Sequence, residues 1–426
     1  MNGKTASPAG AVRRHRHIPA LDGVRALAVG AVLLAHLGRG WSFAGALGVD
    51  VFFVLSGFLI TSILLAEYAA TGRLNFRRFY ARRVLRLTPP LLLALVLFFP
   101  FRAYLFDLPM WQTAHHYAKT VVMTLTYVGN VADFKDQMGS FGHFWSLAVE
   151  EQFYLVWPAL LLLLMAVATW RSGLLASLVA VLGLGFAAWN VWSSSAARGK
   201  DMYVFESLLP TRAWELLAGC LLAVVVSGGA LVHLRERRWW SAVGVAGVLL
   251  FVAAMYHYRL AGPLTDDAYR GMWRLGVLAV TAAAVLMVLS LVMSESGPLA
   301  ALLSWAPIAW IGKISYGLYV YHYPTYHILS GVLPATFTTA HPFLFDVTRM
   351  AAAFVVAGLS YALWERPFLR LKSSGRFGGR APVEPATPTG TPAGARTAML
   401  DSTLPIQRAV LPAGRDTALT AAPHGG

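Results

Sequence analysis

Ten runs of mostly apolar residues, each about as long as a helix needs to cross the roughly 30 Å hydrocarbon core of a bilayer, recur along this chain. They lie near residues 20–38, 45–66, 89–106, 145–169, 173–192, 207–228, 240–258, 272–293, 305–331 and 343–364. Inside lipid every backbone N–H and C=O must be bonded within its own segment or barrel, and uninterrupted runs of this length meet that demand only as helices. The expected fold is therefore all-α, a polytopic membrane helix bundle with about ten transmembrane helices. Composition agrees, because 57% of the 426 residues are hydrophobic and 13% are charged, against about 25% charged in a soluble domain.

A net charge of +15 would suit a nucleic-acid binder, but the basic residues gather between apolar runs, so no nucleic-acid partner is expected. "RRHRH" precedes the first run, and "RLNFRRFYARRVLR" and "HLRERRWW" fall after even numbers of crossings. Under the positive-inside rule all three face the cytoplasm. This predicts a multi-pass plasma-membrane protein with both termini cytoplasmic. Its expected divisions are a basic N-terminal segment over 1–17, a membrane domain over 18–372 and a disordered cytoplasmic tail over 373–426. The tail is rich in Ala, Pro, Thr and Gly and has little apolar surface to bury. Residues 115–132 read as an interfacial or re-entrant piece on the outer side. A cleaved signal peptide is disfavoured for the first run, because Asp22 and Arg25 lie within it and a second span follows at once. The single Cys220 excludes an intrachain disulfide framework and a Cys-based metal site, and no metal site is expected.

Ionisable residues inside the runs carry the functional signal, since such groups face a cavity or a partner rather than lipid. Arg25 and His36 are eleven residues apart, which returns to within about 20° of one helix face, roughly 16 Å along the axis. Arg25 could instead snorkel to headgroups and His36 could cap the helix end. Asp50 lies close to His36 by connectivity and could fix its tautomer, or serve only as an N-cap. Glu150 and Glu151 open the fourth run and diverge by about 100° on a helix, so at most one shares a cavity with His36. Arg212 and Glu215, three apart, either neutralise one another or meet substrate. Tyr316 and His322, with Ser315 and Pro324, make the ninth run a cavity wall or an aromatic belt. Arg82, Arg83 and Arg86 precede the third run, where guanidinium forks can hold phosphates or merely set topology.

Taken in order, these motifs closely resemble the acyltransferase 3 family of integral-membrane acyltransferases. The likeness rests on Arg25 and His36 with ten residues between them, "GVDVFFVLSGF" from Gly48 to Phe58, and Arg83 with Arg86. It continues through "FWSLAVEEQFY" from Phe144 to Tyr154, where the family's Glu falls on Glu150, "SYGLYVYHYP" from Ser315 to Pro324, and Glu365 with Pro367. The resemblance implies transfer of an acyl group, commonly acetyl, from cytoplasmic acyl-CoA to a hydroxyl of a glycan or natural-product acceptor. Acyl-CoA is then a donor substrate, and no permanently bound cofactor is expected. The roles expected are catalysis by His36 with Glu150 or Asp50, CoA binding by Arg25, Arg83 and Arg86, and acceptor contacts from Arg212, Glu215, Tyr316, His322 and Glu365. His36 would deprotonate the acceptor or itself carry the acyl group, and both routes stay open. Some members carry a soluble domain after the last crossing, whereas a short tail is expected here, so transfer would finish in the membrane domain or on a separate protein. A transporter or flippase is the competing class, without an internal repeat or a pair of broken helices to support it. A structural or sensory role would leave the embedded ionisable motifs without purpose.

Overall fold

The computed structural model describes residues 17–38, 45–106, 110–131, 136–169, 171–196, 207–260 and 271–373, and among them there is no strand. The tail over 373–426 and the basic segment over 1–17 lie outside these residues, apart from His17 and Ser373. The long helices are α1 (Pro19–Leu37), α2 (Gly48–Thr71), α3 (Phe76–Phe106), α4 (Met110–Leu125), α5 (Trp145–Val167), α6 (Ser172–Ala196), α7 (Leu209–Ser227), α8 (Trp240–Leu260) and α9 (Val277–Met293). Shorter α10 (Pro298–Leu303) and α11 (Ala306–Lys313) lead to α12 (Ser315–Val332), α13 (Ala335–Ala340), α14 (Pro342–Leu359) and α15 (Arg366–Ser373). Among the described residues eight helical stretches are long and apolar enough to cross a membrane, and these coincide with eight of the ten predicted runs. Large apolar side chains such as Leu155, Val181, Leu184 and Leu249 point away from the bundle and stay exposed, as a lipid-facing surface requires.

The other two runs differ in instructive ways. The third falls in α3, whose 31 residues extend over about 46 Å, more than a hydrocarbon core, so its Arg-rich first turns can lie outside lipid while the rest enters. The ninth, expected as one continuous run over 305–331, is interrupted at Ile314, which leaves helical geometry between α11 and α12. The segment read as interfacial becomes α4, at 16 residues about 24 Å long and short for a crossing.

The bundle is centred on α1, α2 and α7, and close approach between α2 and α7 needs glycine. A Cβ on Gly57 would lie 1.9 Å from the Leu216 carbonyl oxygen, and one on Gly219 would lie 2.0 Å from that of Val54. Small residues that let helix backbones touch are a main source of association in lipid, where the hydrophobic effect is weak. Gly57→Ala should therefore lower the thermal unfolding midpoint of the detergent-purified protein markedly. Gly185→Ala, with nothing within 4 Å of its Cβ, should not. Equal midpoints for the two variants would show that the α2–α7 contact yields.

Near the end of the described chain a π-helical turn over Ser360–Glu365 joins α14 to α15 and leaves Ser360 and Glu365 buried. Such turns rotate the side chains that follow and recur at functional sites. Here the turn brings Trp364 Nε1 within 2.9 Å of the Pro89 carbonyl, in the Pro-interrupted part of α3.

Candidate active site

Three of the predicted arginines come together. Arg83 and Arg86 share one face of α3. The Arg83 guanidinium lies 3.4 Å from the centroid of the Tyr154 ring and 2.5 Å from Glu151 Oε1. Arg86 is exposed, yet it stands within electrostatic reach of Arg25, Arg83 and Asp22, and of Glu150 and Glu365. A side chain that is open to solvent but ringed by groups from α1, α3, α5 and the π-turn lines a crevice rather than a flat surface. Arg25 donates to Asp22 Oδ1 at 2.7 Å, while the other carboxylate oxygen is 2.8 Å from His17 Nε2. Asp22 had no place in the sequence reading of this stripe. Arg83 and Arg25 each have a carboxylate partner, and among the described residues Arg86 has no ion pair.

The neighbouring carboxylates diverge as helix geometry requires. Glu151 turns to Arg83, and Glu150 accepts a hydrogen bond from Ser56 Oγ at 2.9 Å. Gln152, next in line, forms a reciprocal amide pair with Asn130 at 2.8 and 3.1 Å, which ties the turn after α4 to α5.

The expected pairing of His36 with Asp50 or Glu150 is corrected. Asp50 sits in the first turn of α2, on the face packed against α7, and lies 3.0 Å from Arg212 Nη1. Arg212 also donates to Glu215 at 2.8 Å. The three side chains are 1%, 2% and 0% exposed, so they close on one another and present no surface to an acceptor. Glu150 is taken up by Ser56. The partner of His36 is instead a second imidazole, with His322 Nε2 3.2 Å from His36 Nδ1.

His36 lies in the last turn of α1 and remains partly exposed, whereas His322 and His143 are buried. His143 belongs to the 3-10 segment Asp136–Phe144 that leads into α5, and its ring centroid is 5.0 Å from that of His322. The Tyr319 carbonyl accepts from His143 Nε2 at 3.0 Å and from His322 Nδ1 at 2.8 Å. The Tyr319 hydroxyl donates to the His143 carbonyl at 2.6 Å, which locks the 3-10 segment to α12. The Tyr323 ring packs edge-on to His36 with centroids 4.7 Å apart. Among the described residues no three His, Cys, Asp or Glu groups are arranged to hold a metal ion.

Tyr316 and Glu365 join the crevice rather than the imidazoles. Tyr316 donates to the Leu87 carbonyl at 2.8 Å, and Tyr321 to that of Pro90 at 3.0 Å. Pro89 and Pro90 lack the N–H groups that would continue the helix ladder, and the α12 tyrosines brace α3 at this weakened place. Glu365 accepts from Ser360 at 3.1 Å. His143, Tyr323 and Asp22 are the site residues the sequence reading passed over. His143 lies inside the "GHFWSL" stretch, but a 3-10 segment offers no helix period by which to judge its direction.

A crevice of arginines and, on the same helix as Arg25, an accessible imidazole held by a second one make up the candidate site. The chain belongs to the acyltransferase 3 family, whose acyltransferase domain matches residues 18–364. It is 32% identical over 363 residues to the peptidoglycan O-acetyltransferase OatA of Listeria monocytogenes, covering 83% of this chain and 56% of that protein. It is 28% identical over 357 residues to the O-acetyltransferase OatA of Staphylococcus aureus, covering 83% and 57%. The chain thus spans little more than half the length of these relatives. No solved structure matches it.

Proposed function

We propose that this protein is a multi-pass plasma-membrane O-acyltransferase, with both termini cytoplasmic, that moves an acyl group, commonly acetyl, from acyl-CoA to a hydroxyl of a glycan acceptor. The observation that carries the reading is the placement on one helix of Arg25, within the basic crevice, and His36, about 16 Å further along the axis. That span suits an extended donor with phosphates at one end and a thioester at the other. The names of the relatives favour acetyl as the acyl group and peptidoglycan as the kind of acceptor.

In this reading Arg86, which is accessible and has no ion pair among the described residues, and Arg83 beside it take the phosphates of CoA through paired N–H donors. The thioester carbonyl then lies near His36. Val32 O accepts from His36 Nδ1 at 2.9 Å, and because a carbonyl only accepts, Nδ1 carries the proton and Nε2 keeps its lone pair. In direct transfer Nε2 takes the proton of the acceptor hydroxyl as its oxygen bonds to the acyl carbon. The C–S bond breaks, and the thiolate receives that proton to leave as free CoA. In the covalent route Nε2 itself bonds to the acyl carbon as the C–S bond breaks and CoA leaves as the thiolate. In a second step the acceptor hydroxyl oxygen takes the acyl group as the N–acyl bond breaks, Nε2 regains its lone pair, and the hydroxyl proton balances the charge of the departed thiolate.

The test is release of free thiol from acetyl-CoA by the purified protein, with and without a muropeptide acceptor, and mass analysis of the acceptor. Thiol release coupled to a gain of one acetyl mass supports the reading. Transmembrane movement of the acceptor without thiol release overturns it in favour of a transporter.

Arg83→Lys is expected to weaken acyl-CoA binding about tenfold or more, because a point charge replaces a planar fork that also stacks on Tyr154. Affinity for acetyl-pantetheine, which lacks the nucleotide, should hardly change. Isothermal titration with the two ligands checks this, and equal losses would mean that the substitution disturbs the fold instead.

A further inference from the structure

We propose that His322 is the positioning residue for His36, so that an imidazole stands where such sites commonly place a carboxylate; this rests on the acyl-transfer reading above. Hydrogen-bond partners fix the proton positions on both rings. His322 Nδ1 is 3.0 Å from the Leu318 carbonyl and 2.8 Å from that of Tyr319. Both acceptors are carbonyls, so Nδ1 bears the hydrogen and Nε2 is the bare nitrogen. That bare nitrogen faces the Nδ1–H of His36 at 3.2 Å. The His36 proton is therefore shared between Val32 O and His322 Nε2, a three-centre arrangement found at helix ends. A single tautomer satisfies every partner, and it leaves His36 Nε2 free on the accessible side of the ring.

The surroundings explain why an imidazole suits this place. His322 is 0% exposed and is enclosed by the rings of His143, Tyr319 and Tyr326. A carboxylate there would lose its hydration with no cation described beside it, whereas a neutral ring nitrogen accepts a hydrogen bond at far smaller desolvation cost. When Nε2 of His36 takes a proton or an acyl group the ring becomes cationic. The bond from its Nδ1–H to His322 then becomes charge-assisted and stronger. His322 acts through His36 and meets neither donor nor acceptor.

The experiment compares His322→Gln with His322→Leu. Gln can place an oxygen where Nε2 was and still accept from His36, whereas Leu fills similar space without an acceptor. His322→Leu should lower kcat roughly 10–100-fold with KM for acetyl-CoA unchanged, and His322→Gln should stay within about threefold of the unaltered protein. Nitrogen-15 spectra of His-labelled protein should show His36 protonated at Nδ1 in the unaltered and Gln forms, and a mixture of tautomers in the Leu form. Near-normal kcat for His322→Leu would overturn the proposal, as would equal loss in both variants or loss of acetyl-CoA binding in both, which assign His322 to architecture alone. Failure of the unaltered protein to release CoA would instead defeat the acyl-transfer reading, and the His36 tautomer would still test the pairing by itself.

Discussion

His36→Ala is expected to insert, fold and bind acyl-CoA with near-normal affinity, yet to turn over at least about 100-fold more slowly, the scale on which enzymes lose a general base. Binding should persist because the arginines lie near the other end of α1, and because the imidazole is only partly buried and leaves no large void in the core. Turnover should fall because the two imidazoles that flank His36 cannot take over its role. His143 and His322 are buried, and Nδ1 of His322 is committed to the carbonyls of Leu318 and Tyr319. Steady-state thiol release together with equilibrium binding of acetyl-CoA separates the two effects. Turnover within threefold of normal in a well-folded variant would remove His36 from the chemistry. A rapid burst of acetylated protein before steady state, absent in His36→Ala, would select the covalent route.

What the sequence allowed to be read depended on whether a helix period applied. The spans were legible from hydropathy, and the two that depart do so where polar chemistry intrudes, at the Arg-rich start of α3 and at the break before α12. The convergence of Arg25, Arg83 and Arg86 was legible from motif order and the expected side of the membrane. The divergence of Glu150 and Glu151 followed from the 100° step, but their partners did not, because Ser56 and Arg83 belong to other helices and only packing brings them near. Asp50 illustrates the limit most clearly. A short connection places it close to His36 along the chain, but the phase of α2 turns its carboxylate to α7, where Arg212 waits. His322 was legible as a polar residue in an apolar run, and its partnership with His36 was not, since the two lie 286 positions apart.

Arg212→Leu is expected to be the most destabilising single substitution at this ion cluster, by roughly 3–5 kcal/mol, because breaking a buried ion pair leaves the opposite charge without compensation. Two carboxylates, Asp50 and Glu215, share this guanidinium at 3.0 and 2.8 Å. Its flat face also lies 4.3 Å from the Trp273 ring centroid and 5.3 Å from that of Trp145, so the change removes cation–π contacts as well. The cluster joins α2 to α7 beside the close contact at Gly57 and Gly219, and loosening it should open the centre of the bundle. Thermal unfolding in detergent should show a large drop in midpoint, with acyl-CoA binding lost only as the protein unfolds. Combining Asp50→Leu, Arg212→Met and Glu215→Leu removes every charge at once, and such replacements of a buried triad by apolar residues are often neutral or stabilising. A triple variant that melts like the unaltered protein and still acylates its acceptor makes the cluster purely architectural. One that melts normally and still cleaves acetyl-CoA, but no longer acylates the acceptor, returns Arg212 and Glu215 to the acceptor-binding role that their spacing alone first suggested. An Arg212→Leu protein as stable as the parent would mean that the α2–α7 junction is held by its glycine contacts and not by charge.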